Sequence, residues 1–195
     1  MGESGRARIL KETNHMIKRN TIVIVLLLLP IIASLAAGKK PKHTFKFSAT
    51  EFLLDDQPFQ IISGELHPAR IPEEYWQHRI RMAKAMGCNT ISVYLFWNYH
   101  ETEEGIFDFS TGNRNIARFM QMVQDEDMWL IVRPGPYVCA EWDLGGIPSY
   151  LLKYPDIKLR SLDPKFMAAA ERYMVRLAEE IKPFLITNGG PILMI

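Results

Sequence analysis

From residue 60 onward the chain alternates two hydrophobic patterns. Gln60 to His67 (QIISGELH) predicts a strand, and Thr90 to Trp97 (TISVYLFW), β-branched and aromatic, predicts a strand buried on both faces. Trp129 to Arg133 (WLIVR) predicts a third strand, and the apolar run Ile192 to Ile195, after Asn188-Gly189-Gly190-Pro191, a fourth. Helical spacing lies between them. Glu73 to Met86 places Tyr75, Ile80 and Ala83 on one stripe, with Pro72 at a favoured first position and Gly87 as the stop. Asn115 to Glu126 carries Ile116, Phe119, Met120 and Val123 on one face, and Asp163-Pro164 opens a helix running to about Ile181. The order βαβαβαβ predicts a parallel sheet with right-handed crossovers. Four strands and three helices cannot close a barrel. They make either half of an eight-stranded (β/α) barrel or a small open sheet. Ahead of this domain, residues 39–59 read as a basic linker, Lys39 to His43, and a small hairpin around the turn Asp55-Asp56-Gln57-Pro58.

Residues 1–38 have a different character. Lys18 and Arg19 form a basic n-region, Ile22 to Leu29 is an unbroken aliphatic run, and Ser34-Leu35-Ala36 is a small-x-small cleavage signal. Eight consecutive aliphatics without amphipathic period argue against a buried core helix. A cleaved signal peptide is the expectation, with an uncleaved membrane anchor as its rival. Met16 is a candidate start, since residues 1–15 have no targeting character. Either way the protein is expected to be exported, to the periplasm, the lysosome or the exterior, and to touch a membrane only through this segment if it is not cleaved.

Charge adds one exclusion. The leader takes five of the 23 Lys/Arg residues and two of the 22 Asp/Glu, so the rest of the chain is slightly acidic. With no basic face and no charge run, nucleic acid is not an expected partner. Two cysteines are too few for a disulfide scaffold. Cys88 enters the second strand and Cys139 follows the third, so they lie at opposite ends of the sheet and are expected to stay unpaired. The five histidines form no metal-ligand spacing, and Gly189-Gly190 lacks a nucleotide-binding pattern. No metal or cofactor is expected.

In a parallel α/β fold, ligands bind at the C-terminal ends of the strands. Those ends carry Glu65, His67 and Arg70 after the first strand; Tyr94, Trp97, Asn98, His100 and Glu101 after the second; and Arg133, Tyr137, Cys139, Glu141, Trp142 and Asp143 after the third. Carboxylates and amides among aromatic rings suit a sugar, whose hydroxyls need acceptors and whose C–H face needs an apolar platform. Trp97 and Trp129 read as core and not as platform. Glu103-Glu104 reads as a solvated turn.

The wording of these loops narrows the class. SGELHPARIPEEYW (63–76), AKAMGCNTISVYLFWNYHE (83–101), G-x-F-D-F-S (105–110), RPGPYVCAEWDLGGIPSYLL (133–152) and NGGPI (188–192) occur in order. Together they closely resemble glycoside hydrolase family 35, whose main activity is β-galactosidase. The resemblance spans about residues 45–195. It implies the N-terminal half of a (β/α)8 TIM barrel and retaining hydrolysis by two Glu residues about 5–5.5 Å apart. It further implies that Tyr94 contacts the galactose ring and that Cys139, Ala140 and Glu141 bind the sugar hydroxyls. On the residues alone Glu141 would have been a candidate catalytic carboxylate. The resemblance makes it a binding residue.

Two departures follow. His67-Pro68 stands where the family usually has His-Tyr, which removes a hydroxyl near the first strand. The family's NGGPI run continues into Gln-x-Glu-Asn-Glu-Tyr-Gly, whose second Glu is the acid/base. That Glu would lie a few residues beyond Ile195, and the nucleophile on a later strand. No catalytic residue is therefore assigned, and the expectation is a truncated β-galactosidase-like piece that is inactive alone. A non-catalytic galactose-binding or inert piece, and a related barrel glycosidase with another sugar preference, are the alternatives.

Overall fold

The computed structural model describes residues 42–195; the leader reading at 1–38 lies outside them. Four parallel strands form the central sheet in the order β4 (Ser63–Glu65), β5 (Thr90–Tyr94), β8 (Trp129–Arg133) and β9 (Ile192–Met194). This is the partial barrel expected, in sequential strand order. Alternate residues divide its two faces. Ile91, Val93 and Leu95 with Leu130, Val132 and Ile192 face the helices and share one apolar core with them.

Three helices cover that face. α1 (Trp76–Ala85) buries Trp76, Ile80 and Ala83, at helical spacing. The stripe starts at Trp76 and not at Tyr75, which is exposed. The chain runs Glu73–Tyr75 as a tight 3-10 turn before the α-helix begins, so Tyr75 precedes the first helical residue. The Trp76 indole folds back to donate to the Ile71 carbonyl at 2.8 Å. A one-turn helix, α2 (Trp97–His100), follows β5. α3 (Ile116–Asp125) buries the four residues its spacing indicated, and the Asn115 side chain caps it by accepting from Arg118 N at 2.9 Å. α4 (Pro164–Ile181) starts where Asp163 accepts from Lys165 N at 2.9 Å and Phe166 N at 3.2 Å, with Pro164 in the first turn, where no N–H is needed.

Two strands are shorter than their hydrophobic runs. β5 ends at Tyr94, because its neighbour β8 leaves the extended conformation at Gly135 (φ 88°), the next residue whose N–H would face β5. Leu95 N makes the last bond, to Arg133 O at 3.1 Å, and the chain then turns into α2. β4 keeps three residues, flanked by bonds from Ile62 O and Leu66 N to the neighbouring strand.

The N-terminal segment is a three-stranded meander, β1 (Phe45–Phe47), β2 (Phe52–Leu54) and β3 (Gln57–Pro58). Its second turn holds Asp55 at φ 51° and Asp56 at φ 63°, the double left-handed geometry that twists a two-residue hairpin correctly. The Asp55 carboxyl sits below the usual carboxylate range, chiefly through its bond with His43. The His43 ring meets Trp129 edge-on at 5.1 Å, so the meander rests against the N-terminal end of β8. A further hairpin, β6 (Glu101–Glu103) with β7 (Ile106–Phe107), follows α2. Cys88 and Cys139 are both free thiols. Among the described residues no helix is long and apolar enough to cross a membrane.

Candidate functional site

The C-terminal ends of β4, β5 and β8 converge with the loop after β8. Parallel register sets Tyr94 beside Arg133 and Glu65 beside Ser92. The Arg133 guanidinium lies 3.9 Å over the Tyr94 ring and donates to Glu65 Oε2 at 3.0 Å. The other Glu65 oxygen, Oε1, is 2.7 Å from His67 Nε2. His67 Nδ1 is 2.9 Å from Arg70 Nη1. A guanidinium only donates, so Nδ1 accepts and the His67 proton sits on Nε2, pointing at Glu65. Arg70 Nη2 then donates to two successive carbonyls, those of Ala140 and of Glu141, the latter at 2.7 Å. A continuous polar chain thus runs from the third strand through the first to the loop.

Beneath it lies a small apolar cluster of Tyr94, Phe96, Val138 and Ala140. Phe96 stacks on Trp142 at 4.1 Å with the planes 12° apart, and the Trp142 indole donates to Asn98 Oδ1 at 2.7 Å. Val138 N donates to Gly145 O at 2.8 Å, and Gly145 N to Trp142 O at 2.8 Å, closing the loop on itself. Ala140 is buried, while Cys139 and Glu141 on either side are exposed. Glu141 has φ 45°, a left-handed conformation costly for a residue with a Cβ. Among the described residues its carboxylate has no hydrogen bond or ion pair. The loop therefore presents one unengaged carboxylate beside a thiol and aromatic rings. Both oxygens of Glu65 are already occupied. Glu141 is therefore the carboxylate of this group whose acceptor capacity is left open.

The site thus gathers Glu65, His67, Arg70, Tyr94, Asn98, Arg133, Cys139, Ala140, Glu141 and Trp142. It does not gather all of the strand-end residues. Trp97, His100 and Glu101 turn away into the core against α4 and the β6–β7 hairpin. The cause is α2, which reverses the chain directly after β5. Phe96 was not among the sequence candidates, although it stands two residues from Tyr94 and so on the same face of the strand.

His100 is instead a buried imidazole. It stacks on Phe109 at 4.5 Å and its Nδ1 bonds to the Asp108 carbonyl at 3.0 Å. Desolvation, reinforced by Arg114, lowers its pKa to about 4. Unfolded, it would titrate near 6.5. The unfolded chain therefore binds a proton that the folded chain refuses, and stability present above pH 6.5 is lost as pH falls towards 4. The loss amounts to about 3 kcal/mol. Urea unfolding of wild type and His100→Gln should give curves whose difference narrows across this window; parallel curves would place His100 in solvent. The lowered carboxyls of Asp108, Asp156 and Asp163 act at lower pH and cancel in that difference.

Among the described residues no three His, Cys, Asp or Glu side chains converge to hold a metal ion. Residues 51–195 match the sequence profile of Glycosyl hydrolases family 35. The chain belongs to glycosyl hydrolase family 35. Relatives agree. A β-galactosidase of Xanthomonas manihotis is 41% identical over 180 residues, covering 92% of this chain and 30% of its own length. A β-galactosidase of Mus musculus is 44% identical over 156 residues, 79% of this chain and 24% of the relative. The family 35 chain described here thus spans less than a third of the length of these relatives. An exo-β-1,4-mannosidase from Opitutaceae bacterium strain TAV5 superposes with a TM-score of 0.51 at 16% identity, over 65% of this chain and 23% of that one. At that identity the likeness speaks for the barrel fold alone.

Proposed function

We propose that the loop Cys139–Glu141, with Tyr94, binds the terminal galactose of β-linked oligosaccharides or glycans, as the sugar-recognition part of a retaining β-galactosidase. The observation that carries this reading is the Glu141 carboxylate, which is exposed, held in a left-handed backbone and unengaged by protein. A buried ion pair would have used that charge for structure. An open carboxylate can accept short, charge-assisted bonds from sugar hydroxyls. The names of the relatives support galactose as the sugar. Retaining hydrolysis requires two carboxyl groups about 5–5.5 Å apart. The residues described here supply the binding wall, with no assigned acid/base or nucleophile. The leader sequence at 16–38 supports an exported protein, membrane-attached if that segment is retained.

Titration of the chain with galactose, glucose and mannose, followed by ligand-observed NMR, tests the reading. Galactose should bind preferentially, and Glu141→Gln should weaken it about tenfold or more, as expected when a charged hydrogen-bond acceptor is lost. Equal binding of the three epimers, or unchanged affinity in Glu141→Gln, would remove the basis for it.

A further inference from the structure

The strained backbone of Glu141 needs something to hold it. In an extended chain successive carbonyls point to opposite sides. Those of Ala140 and Glu141 meet a single nitrogen, Arg70 Nη2, and Glu141 stands at φ 45° where that occurs. Arg70 comes from an element 70 residues away in sequence and is itself fixed on three sides. The 3-10 turn Pro68–Arg70 brings residues 67 and 70 into line, as 3-10 spacing does, so His67 Nδ1 accepts from Nη1 at 2.9 Å. The guanidinium lies 5.2 Å from the Trp142 ring and 5.6 Å from that of Phe96, the stacked pair on the near side of the loop. His67 is anchored in turn by Glu65, and Glu65 by Arg133. Arg70 forms no ion pair with a carboxylate among the described residues. One nitrogen of the guanidinium serves His67 while the other serves both carbonyls, a fork that a lysine, with one compact ammonium, cannot reproduce.

We propose that Arg70, oriented by His67, is the positioning residue that holds the Ala140–Glu141 backbone in its left-handed turn and thereby aims the Glu141 carboxylate, without touching the ligand itself. Pro68 belongs to this device, since its ring fixes the start of the turn that carries Arg70 back over His67. Loss of the guanidinium releases the Glu141 peptide towards the ordinary extended region. The carboxylate remains in the chain but is no longer presented.

The backbone half of this inference stands independently of the sugar reading; only its effect on affinity rests on that reading. The test compares wild type, Arg70→Lys and Arg70→Ala as full chains, with isotope labels at Glu141. The Cα and Cβ shifts and the HN–Hα coupling of Glu141 report its φ directly. Left-handed values are expected in wild type. Arg70→Lys should show partial and Arg70→Ala complete loss of them, with galactose affinity falling about tenfold or more in Arg70→Ala. Added ethylguanidinium should restore both readouts in Arg70→Ala, which a general packing defect would not allow. Should Arg70→Ala fail to fold, Arg70→Lys carries the comparison. Left-handed values persisting in a folded Arg70 variant would overturn the inference. Collapse of those values in a protein whose wild type binds no galactose would uphold the clamp and refute the sugar assignment instead.

Discussion

Replacing Trp97 with alanine should cost about 5 kcal/mol, enough to unfold many domains of this size. The side chain is fully buried, stacks on Tyr173 at 5.2 Å with planes 12° apart, and packs against Phe166. Truncating a buried tryptophan costs about 3–5 kcal/mol in lost burial and cavity formation. A second loss adds to it. The indole N–H donates to Glu101, a carboxylate with no solvent exposure whose other partners include Gly105 N, at 2.7 Å, Arg172, at 3.2 Å, and the Tyr150 hydroxyl. Removing a donor from a buried carboxylate adds about 1–3 kcal/mol. Trp97→Phe separates the two contributions, since it keeps most of the ring and removes only the donor, and should lose about 2 kcal/mol. Urea unfolding monitored by far-UV circular dichroism measures both. A loss below about 1.5 kcal/mol for the alanine variant would contradict the burial of Trp97.

Gly190→Ala should be almost as damaging, for a reason unrelated to hydrophobic burial. A Cβ at this position would stand 2.1 Å from both the carbonyl carbon and the carbonyl oxygen of Phe184. Both obstacles are backbone atoms, so no rotamer change relieves the clash. Gly190 N also donates to Leu185 O at 3.0 Å, which fixes the two segments against each other just before β9. Overpacking costs typically 1–3 kcal/mol where side chains can yield; here the loss should reach about 3 kcal/mol or more. Gly87→Ala is the control, because Gly87 has φ 92° but open space around it. That variant bears only the left-handed penalty, about 1–2 kcal/mol. If the two substitutions cost the same, close approach at Gly190 is not what selects glycine there.

The helices were legible in the sequence where caps and spacing agreed. Asp163-Pro164 marks the start of α4 because each residue answers a separate demand of a helix N-terminus. Asn115 does the same for α3. The run TISVYLFW is longer than β5, since it is apolar throughout and hydrophobicity cannot say where a ladder stops. The stop is set where the neighbouring strand turns away at Gly135, a residue remote in sequence. The same limit governs the site. Tyr94 and Glu141 lie at strand ends, where the fold class directs attention, and the loop wording singled them out. Phe96 could have been found from period two. The removal of His100 and Glu101 into the core depends on one turn of helix, which no local pattern announces. The Arg70 clamp was illegible for a plainer reason: its acceptors are main-chain carbonyls, and a main-chain group has no letter in the sequence.

The alternation along β5 also shapes how this protein can vary. Ile91, Val93 and Leu95 are committed to the helix-packed core, whereas Tyr94 and Phe96, one residue out of step, belong to the cluster under the loop that follows β8. Neighbouring codons in the same short stretch of gene therefore answer to separate selective pressures. Change at the odd positions is met by the helices, and change at Tyr94 and Phe96 by the loop that packs on them. Both sets are buried, so a substitution on either face weakens the fold, but only one at Tyr94 or Phe96 is also felt by Val138 and Ala140 in the loop after β8.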